Sequence, residues 1–424
     1  MSTRIWQGLK GALAVSWLVL TLPAQALEIE VSPAQAISPH VLGRVQNYLA
    51  LHREAPLRIK LQQVPLQAEA AAEESKQAKV VADHFDFQID ELHATDPAEQ
   101  QLTVRASGKL GLHMGLYAAL EALGYAFWHP FEPVSPPQLN TLQPSQHPFR
   151  PALAQRGFSH HTMHPLELTH VLNGWGPGGP DDLAGWEALL PEYEAWLEWL
   201  VAQRQNKLEW VLLEKAPWAE FSRSPERLRR LRQLVARAHD WGLQIGIDAP
   251  LALEQQNGWR LIPKPGDLPA ELVQLRSSLD WLAAAGFDFI TTEMGLSEFH
   301  HGGAARMLTW LNTAAQHLDE THKLPFFTKV HISSGQETPE FLDPETGMPL
   351  NINFLPYYAD SRVGTMPHTV QIYSLDDPAP TYGWQDFSEM LRFMRLSRAS
   401  QPERQMLWYP ETAYWINYDI NVPL

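Results

Sequence analysis

From residue 152 onward the chain alternates short apolar runs with amphipathic helical segments, and this alternation restricts its fold more than any other feature. Strand-like runs fall at 156–161, 208–213, 243–248, 287–292, 326–331, 370–375 and 406–409. Between them lie segments such as "LLPEYEAWLEWLVAQRQ", "SPERLRRLRQLVARAHDWG", "LPAELVQLRSSLDWLAAAG", "AARMLTWLNTAAQHLDE" and "WQDFSEMLRFMRLSR". Each has an apolar stripe on one side and a polar face on the other, as a helix covering a sheet requires. Near-continuous apolar strands separated by helices specify a parallel sheet buried on both faces. Seven such strands, with no glycine-rich nucleotide turn after the first, suit a (β/α)₈ (TIM) barrel better than a doubly wound sheet. The eighth unit is either a short strand at 414–420 or missing, through an incomplete barrel or a longer parent chain.

The segment before the barrel has a different pattern. Residues 27–131 contain strand-like runs "LEIEV", "LRIKLQQV", "FDFQID" and "LTVRAS", with helical spacing in "HVLGRVQNYLALH" and "LGLHMGLYAALEALGY". They predict a small N-terminal α/β domain. Residues 132–151, "EPVSPPQLNTLQPSQHPFRP", carry six prolines without strong periodicity and read as a linker to the barrel domain at 152–424. Residues 1–26 have the build of a secretory signal peptide: Arg4 and Lys10, an apolar stretch, then Ala24-Gln25-Ala26 as a small-x-small cleavage site. The apolar stretch is short for a span, which takes roughly 20 residues, so the chain is expected to be exported, to the periplasm or outside the cell, with no membrane span left after processing. A retained N-terminal anchor is the alternative.

Composition removes several function classes. The formal net charge of −16 repels phosphate backbones, so nucleic acid is not an expected partner. With no cysteine, the chain is not a disulfide scaffold, a thiol enzyme or a cysteine-ligated zinc protein. No cofactor is called for, and nothing in the sequence fixes the oligomeric state. The 16 tryptophans supply flat faces with a polar edge on which sugar rings can lie, although most are expected in cores.

In such a barrel the reactive groups lie at the carboxyl ends of the strands. Those positions hold His160, His161 and His164, then Glu214, Asp248, Glu293, His331, Asp376 with Asp377, and Glu411. Trp218, Tyr373, Trp408, Tyr409, Tyr414 and Trp415 lie among them. A single acid there is as readily a helix cap or a solvated loop group, so the collection carries the argument. Glu293 ends the fourth strand and Glu411 the seventh. Glycoside cleavage takes two carboxyls flanking one bond, about 5–5.5 Å apart for retention and about 6.5–9.5 Å for inversion. Trp175, beside the loop "GPGGPDD", is a candidate lid residue. His161, Trp175, Glu214, Asp248, His301, His331, Tyr373, Trp408 and Tyr414 are the candidate sugar-binding groups. The histidines in "HHTMH" and "HH" lack a metal-binding spacing such as HExxH, and strand alternation sends His160 and His161 to opposite sides, so hydroxyl binding is preferred to a metal. Gly302-Gly303 opens the next helix, whose free N–H groups could receive a ligand oxygen.

A strand-four and strand-seven glutamate pair resembles the arrangement in the large clan of retaining glycoside hydrolases with (β/α)₈ barrels. The resemblance implies Glu293 as acid/base and Glu411 as nucleophile, except that Thr292 stands where that clan places asparagine. Separately, "GKLGLHMGLYAALEALGYAFWHPFEPV" and "FRPALAQRGFSHHTMHP" resemble the accessory domain and barrel start of α-glucuronidases and β-N-acetylhexosaminidases. The hexosaminidases would place aspartate at position 292, and the strand ends show no obvious basic cluster for a uronate. The expectation is an exported glycoside hydrolase acting on a poly- or oligosaccharide. The alternatives are a noncatalytic glycan-binding barrel and a histidine-based metal-dependent hydrolase.

Overall fold

A computed structural model describes residues 18–21, 27–52, 57–64, 85–90, 100–161, 168–214, 216–252, 257–294, 302–331, 336–369 and 386–410. The chain divides into two compact units: Met1–Ala154 with Leu197–Asn206 and Asp240–Gly242, and the remainder from Gln155 onward.

The first unit is built on a sheet of β1 (Leu18–Thr21), β2 (Leu27–Ser32), β3 (Leu57–Gln63), β4 (Phe85–Asp90), β5 (Gln100–Ala106) and β6 (Ser145–Phe149), in the order β1-β2-β3-β5-β4-β6. β2, β3 and β5 are parallel, while β1 and β4 run against their neighbours. Helices α1 (Pro39–Leu49) and α2 (Lys109–Ala122) complete it. β6 lies inside 132–151, the segment read as a linker. An edge strand tolerates the missing N–H of Pro148, and that proline concealed it. Ser38 caps α1, its hydroxyl accepting from the amides of His40 and Val41. Inside α2, the fully buried His113 receives the Ser38 N–H at Nε2 and lies 2.8 Å from the Trp241 carbonyl through Nδ1. An amide can only donate, so Nε2 carries the lone pair and Nδ1 the proton. Burial, the largest influence, pushes the His113 pKa down to about 4.

The second unit holds seven parallel strands in order β15-β14-β11-β10-β9-β8-β7: β7 (Gly157–His160), β8 (Lys207–Val211), β9 (Gln244–Asp248), β10 (Phe289–Thr292), β11 (Phe326–Val330), β14 (Val363–Thr369) and β15 (Tyr409–Pro410). An antiparallel pair, β12 (Glu337–Leu342) and β13 (Pro349–Asn351), interrupts the series after β11. In sequence these strands alternate with helices α3 (Leu190–Ala202) and α4 (Pro225–Trp241), whose ends fall in the first unit, and with α5 (Leu268–Ala285), α6 (Ala304–His317) and α7 (Ser388–Ser400). Five strands lie where the apolar runs place them. The apolar run places the sixth at 370–375, which lies outside the described residues; the described strand is "VGTMPHT", where Gly364, Pro367 and two threonines break the apolar run. In the seventh, read at 406–409, Met406 bridges Thr365 before β15 begins.

The sheet is a curled, incomplete (β/α)₈-type barrel, with no eighth strand among the described residues. Its interior sets aromatics against glycines. A Cβ on Gly246 would come within 2.1 Å of the Phe289 ring, and one on Gly364 within 2.3 Å of the Phe327 ring. Phe289, Phe327 and Met366 form a buried cluster, and the Lys207 ammonium sits 4.0 Å from the Phe289 ring centre. Above this floor the filling changes from apolar to charged. No helix among the described residues is long and apolar enough to cross a membrane.

Candidate active site

Side chains alternate across a strand, so residues two apart share a face. The face holding Phe289 and Phe327 continues upward to Thr291 and Glu293 on the fourth strand and to Lys329 and His331 on the fifth. Its neighbours are Glu209 on β8, Asp248 on β9, His368 on β14 and Tyr409 on β15. These groups form two layers. Asp248 and Lys329 lie lower, both about 1% exposed, with Lys329 Nζ 2.5 Å from Asp248 Oδ2. Glu293 and His331 lie at the opening, 17% and 21% exposed, with His331 Nε2 2.9 Å from Glu293 Oε2. Lys329 Nζ also reaches within 3.6 Å of Glu293 Oε1, so one ammonium serves both carboxylates.

The chain of contacts continues sideways. His331 Nδ1 and His368 Nδ1 are 2.9 Å apart and share one proton, and the His368 ring stacks on Tyr409 at 4.6 Å. Tyr409 faces Ser159 of the first strand across the gap between β15 and β7. The buried Lys329 ammonium lies 4.9 Å from the Tyr409 ring centre.

The electrostatics separate the acids. Burial raises the Glu293 pKa, but the charge and hydrogen bond of His331, together with Lys329, outweigh it and hold the carboxyl well below the ordinary range. Asp248 is moved the other way: burial, with Glu293 and Glu209 nearby, pushes it up to about 6 against the pull of Lys329. Burial also drives His368 well below the usual imidazole range, so that ring is neutral. Lys329 stays charged, because Asp248, Tyr409, Glu293 and Glu209 outweigh its burial. Glu209 has both carboxylate oxygens buried without a hydrogen-bond partner among the described residues.

The candidate residues therefore divide. The structure joins Glu293, Asp248 and His331, and the His161 charge acts on His368. Asp248 is fully buried and supports Lys329 rather than facing a ligand. Glu214 lies beyond the end of β8, and its charge acts on Arg223 and Arg227. Trp175 is 2% exposed and packs with Val211, Leu213, Trp218 and Phe221, so it is core and not a lid; its large ring fills the space at the end of β8. Trp408 is 47% exposed and donates its indole N–H to the Thr369 hydroxyl, leaving a flat face beside the end of β14. Glu411, His301, Tyr373 and Tyr414 lie outside the described residues, as do His164, Asp376 and Asp377.

The α6 N-terminus is also corrected. The amides of Ala304 and Ala305 donate to the Glu340 carboxylate of β12, which occupies the place considered for a ligand oxygen. Gly303, at φ 92°, has no side chain to cap the helix, and the carboxylate complements its dipole instead. Thr292 is fully buried and donates to the Ala249 carbonyl at 2.8 Å, so its hydroxyl is spent on the sheet.

Sequence reasoning missed Lys329, His368 and Glu209. Two of them had a readable signal: a lysine inside "FFTKVH" and a glutamate inside "KLEWVLL", each on a strand buried at every position. A charge in such a strand needs a partner across the interior.

No protein-family model and no curated protein matches the sequence. Among solved structures, it is similar to the glycoside hydrolase CpGH84B, with a TM-score of 0.50 and 13% identity over 93% of this chain and 60% of that one. It is also similar to the GH20 β-N-acetylhexosaminidase from Streptomyces coelicolor A3(2), with a TM-score of 0.50 and 11% identity over 94% of this chain and 72% of that one. The barrel has the fold of these hydrolases. This chain thus spans about three fifths of the length of CpGH84B.

Proposed function

We propose that this protein is an exported glycoside hydrolase that cleaves a poly- or oligosaccharide, with Glu293 and Glu411 as its carboxylate pair. The observation that carries the reading is Glu293 itself: a carboxylate at the carboxyl end of the fourth strand, open to the barrel mouth and held ionised by His331 and Lys329. Support also comes from the fold shared with glycoside hydrolases. Export rests on the N-terminal signal pattern, and cleavage after Ala26 would remove β1 and leave β2 at the edge of the first unit's sheet.

The ionised state assigns roles. A donor to the leaving oxygen must hold a proton, whereas a nucleophile or base must be charged. Glu293 suits the charged role, which leaves proton donation to Glu411, the reverse of what the clan resemblance implies. Glu411 follows Tyr409 by two residues in the sequence. Thr292 offers no second carboxylate beside Glu293, which counts against a substrate's acetamido group being steered from that position.

The test is product release from a panel of glycans and aryl glycosides, N-acetylhexosaminides included, by the wild-type chain and Glu293→Gln. Cleavage lost in the variant supports the reading. The tight pairing of Glu293 also suits a noncatalytic glycan-binding barrel, and binding without product from any member of the panel would favour that alternative.

A further inference from the structure

On the outer layer of the second unit, two histidines and an aspartate converge. Asp280 Oδ1, on α5, lies 2.7 Å from His317 Nε2 at the end of α6 and 2.7 Å from His322 Nε2 just beyond it. The three ligand-type atoms all lie within 4.8 Å of one another. The imidazole rings are 5.6 Å apart, at 78° to each other.

The backbone is bent to produce this meeting. Side chains five apart in an α-helix point roughly 140° away from each other. Here α6 gives way to a π-helical turn, Leu318–His322, whose wider winding brings His317 and His322 to one side. The turn ends at Lys323 with φ 58° and ψ 37°, a left-handed conformation that is costly for a residue with a side chain. The arrangement is reachable from solvent, since Asp280 is half exposed and the histidines are partly so.

We propose that Asp280, His317 and His322 form a binding site for a divalent transition ion of the zinc type, with water completing the coordination. Two imidazoles and a carboxylate are the nitrogen and oxygen donors such an ion takes, at about 2.0–2.2 Å in tetrahedral geometry. That geometry separates ligand atoms by about 3.4 Å, so each hydrogen-bonded contact needs to open by less than about 1 Å. On binding, each imidazole is neutral with its one proton on Nδ1, any second proton passes to solvent, and the Nε2 lone pairs and Asp280 Oδ1 take the ion between them.

Position assigns the role. Helices α5 and α6 each follow a strand and return toward the strands' amino ends. Asp280 lies in the last turns of one and His317 closes the other. This is the stability face of the barrel, opposite the end that carries Glu293. The ion would staple α5 to the end of α6, independently of any glycosidase activity.

The experiment uses the full chain, stripped with chelator and titrated with Zn²⁺ by calorimetry and with Co²⁺ by visible absorption. Wild type is expected to bind one ion per chain, and its melting temperature to rise with added Zn²⁺. Asp280→Asn, His317→Ala and His322→Gln should each weaken binding at least about tenfold, since even the loss of an outer-shell partner costs that much. His322→Gln retains a donor to Asp280, so its loss of binding separates metal ligation from the hydrogen-bonded turn. The proposal is overturned if Zn²⁺ binds wild type no more tightly than the triple variant, or if the Co²⁺ spectrum is unchanged by the substitutions.

Discussion

His331 holds Glu293 in its charged form: Nε2 stands 2.9 Å from Oε2, on the neighbouring strand and in the same inner row. The carboxylate accepts, so Nε2 carries the proton, and Nδ1 is left to meet His368. A carboxylate fixed by one imidazole, which is itself fixed by another, keeps both its charge and its direction. Lys329 adds a second cation from below.

Removing His331 should therefore change how activity depends on pH. Its charge and hydrogen bond hold the Glu293 pKa down, and the ionised form is present above that pKa. In His331→Leu the pKa rises, so activity should begin to fall at a higher pH on acidification. The acid limb of kcat/KM is expected to move up by about one pH unit or more, as the loss of an adjacent opposite charge implies. A pH–rate profile of the variant checks this.

Lys329 and Asp248 stand or fall together. Deleting one leaves the other buried without its countercharge, a loss of about 3–5 kcal/mol in comparable pairs. Lys329→Met is expected to lower stability by that amount in urea unfolding. The double variant Lys329→Met/Asp248→Leu should recover most of it, because an apolar pair needs no countercharge.

Much of this architecture is legible in the sequence. "FDFITTE" and "FFTKVH" read as strands because their apolar residues are continuous, and the helices between them show amphipathic periods. Glu293 could be placed at the carboxyl end of its strand for the same reason. What stayed hidden depends on contacts between distant residues. Nothing local says that His331 faces Glu293 or that Lys329 reaches Asp248, 81 positions earlier. Trp175 misleads because an aromatic beside a glycine-rich loop looks mobile, whereas its ring packs edge-on against Trp218. β14 was missed because Pro367 and Gly364 sit where an apolar run would be read.

His113 makes the first unit sensitive to acid. Its folded pKa, near 4, lies below the ordinary 6.5, so between these values the unfolded chain binds the extra proton. Stability should then be full above about pH 6.5 and decline as the pH falls toward 4, by about 3 kcal/mol in total. Urea unfolding across that range measures the slope. His113→Phe should be less stable at neutral pH and should lose this part of the pH dependence.

If Glu293 and Glu411 divide the two carboxylate roles, leaving-group dependence separates them. Rates of wild type, Glu293→Gln and Glu411→Gln would be measured on a glycoside with an activated aryl leaving group and on one with an unactivated sugar leaving group. General acid assistance is worth about 10²–10⁴-fold and matters little when the leaving group departs unaided. Glu293→Gln is expected to lose both activities, while Glu411→Gln loses the unactivated substrate and keeps most of the activated one. Full activity in Glu293→Gln, or the opposite pattern between the two variants, would contradict that division of roles.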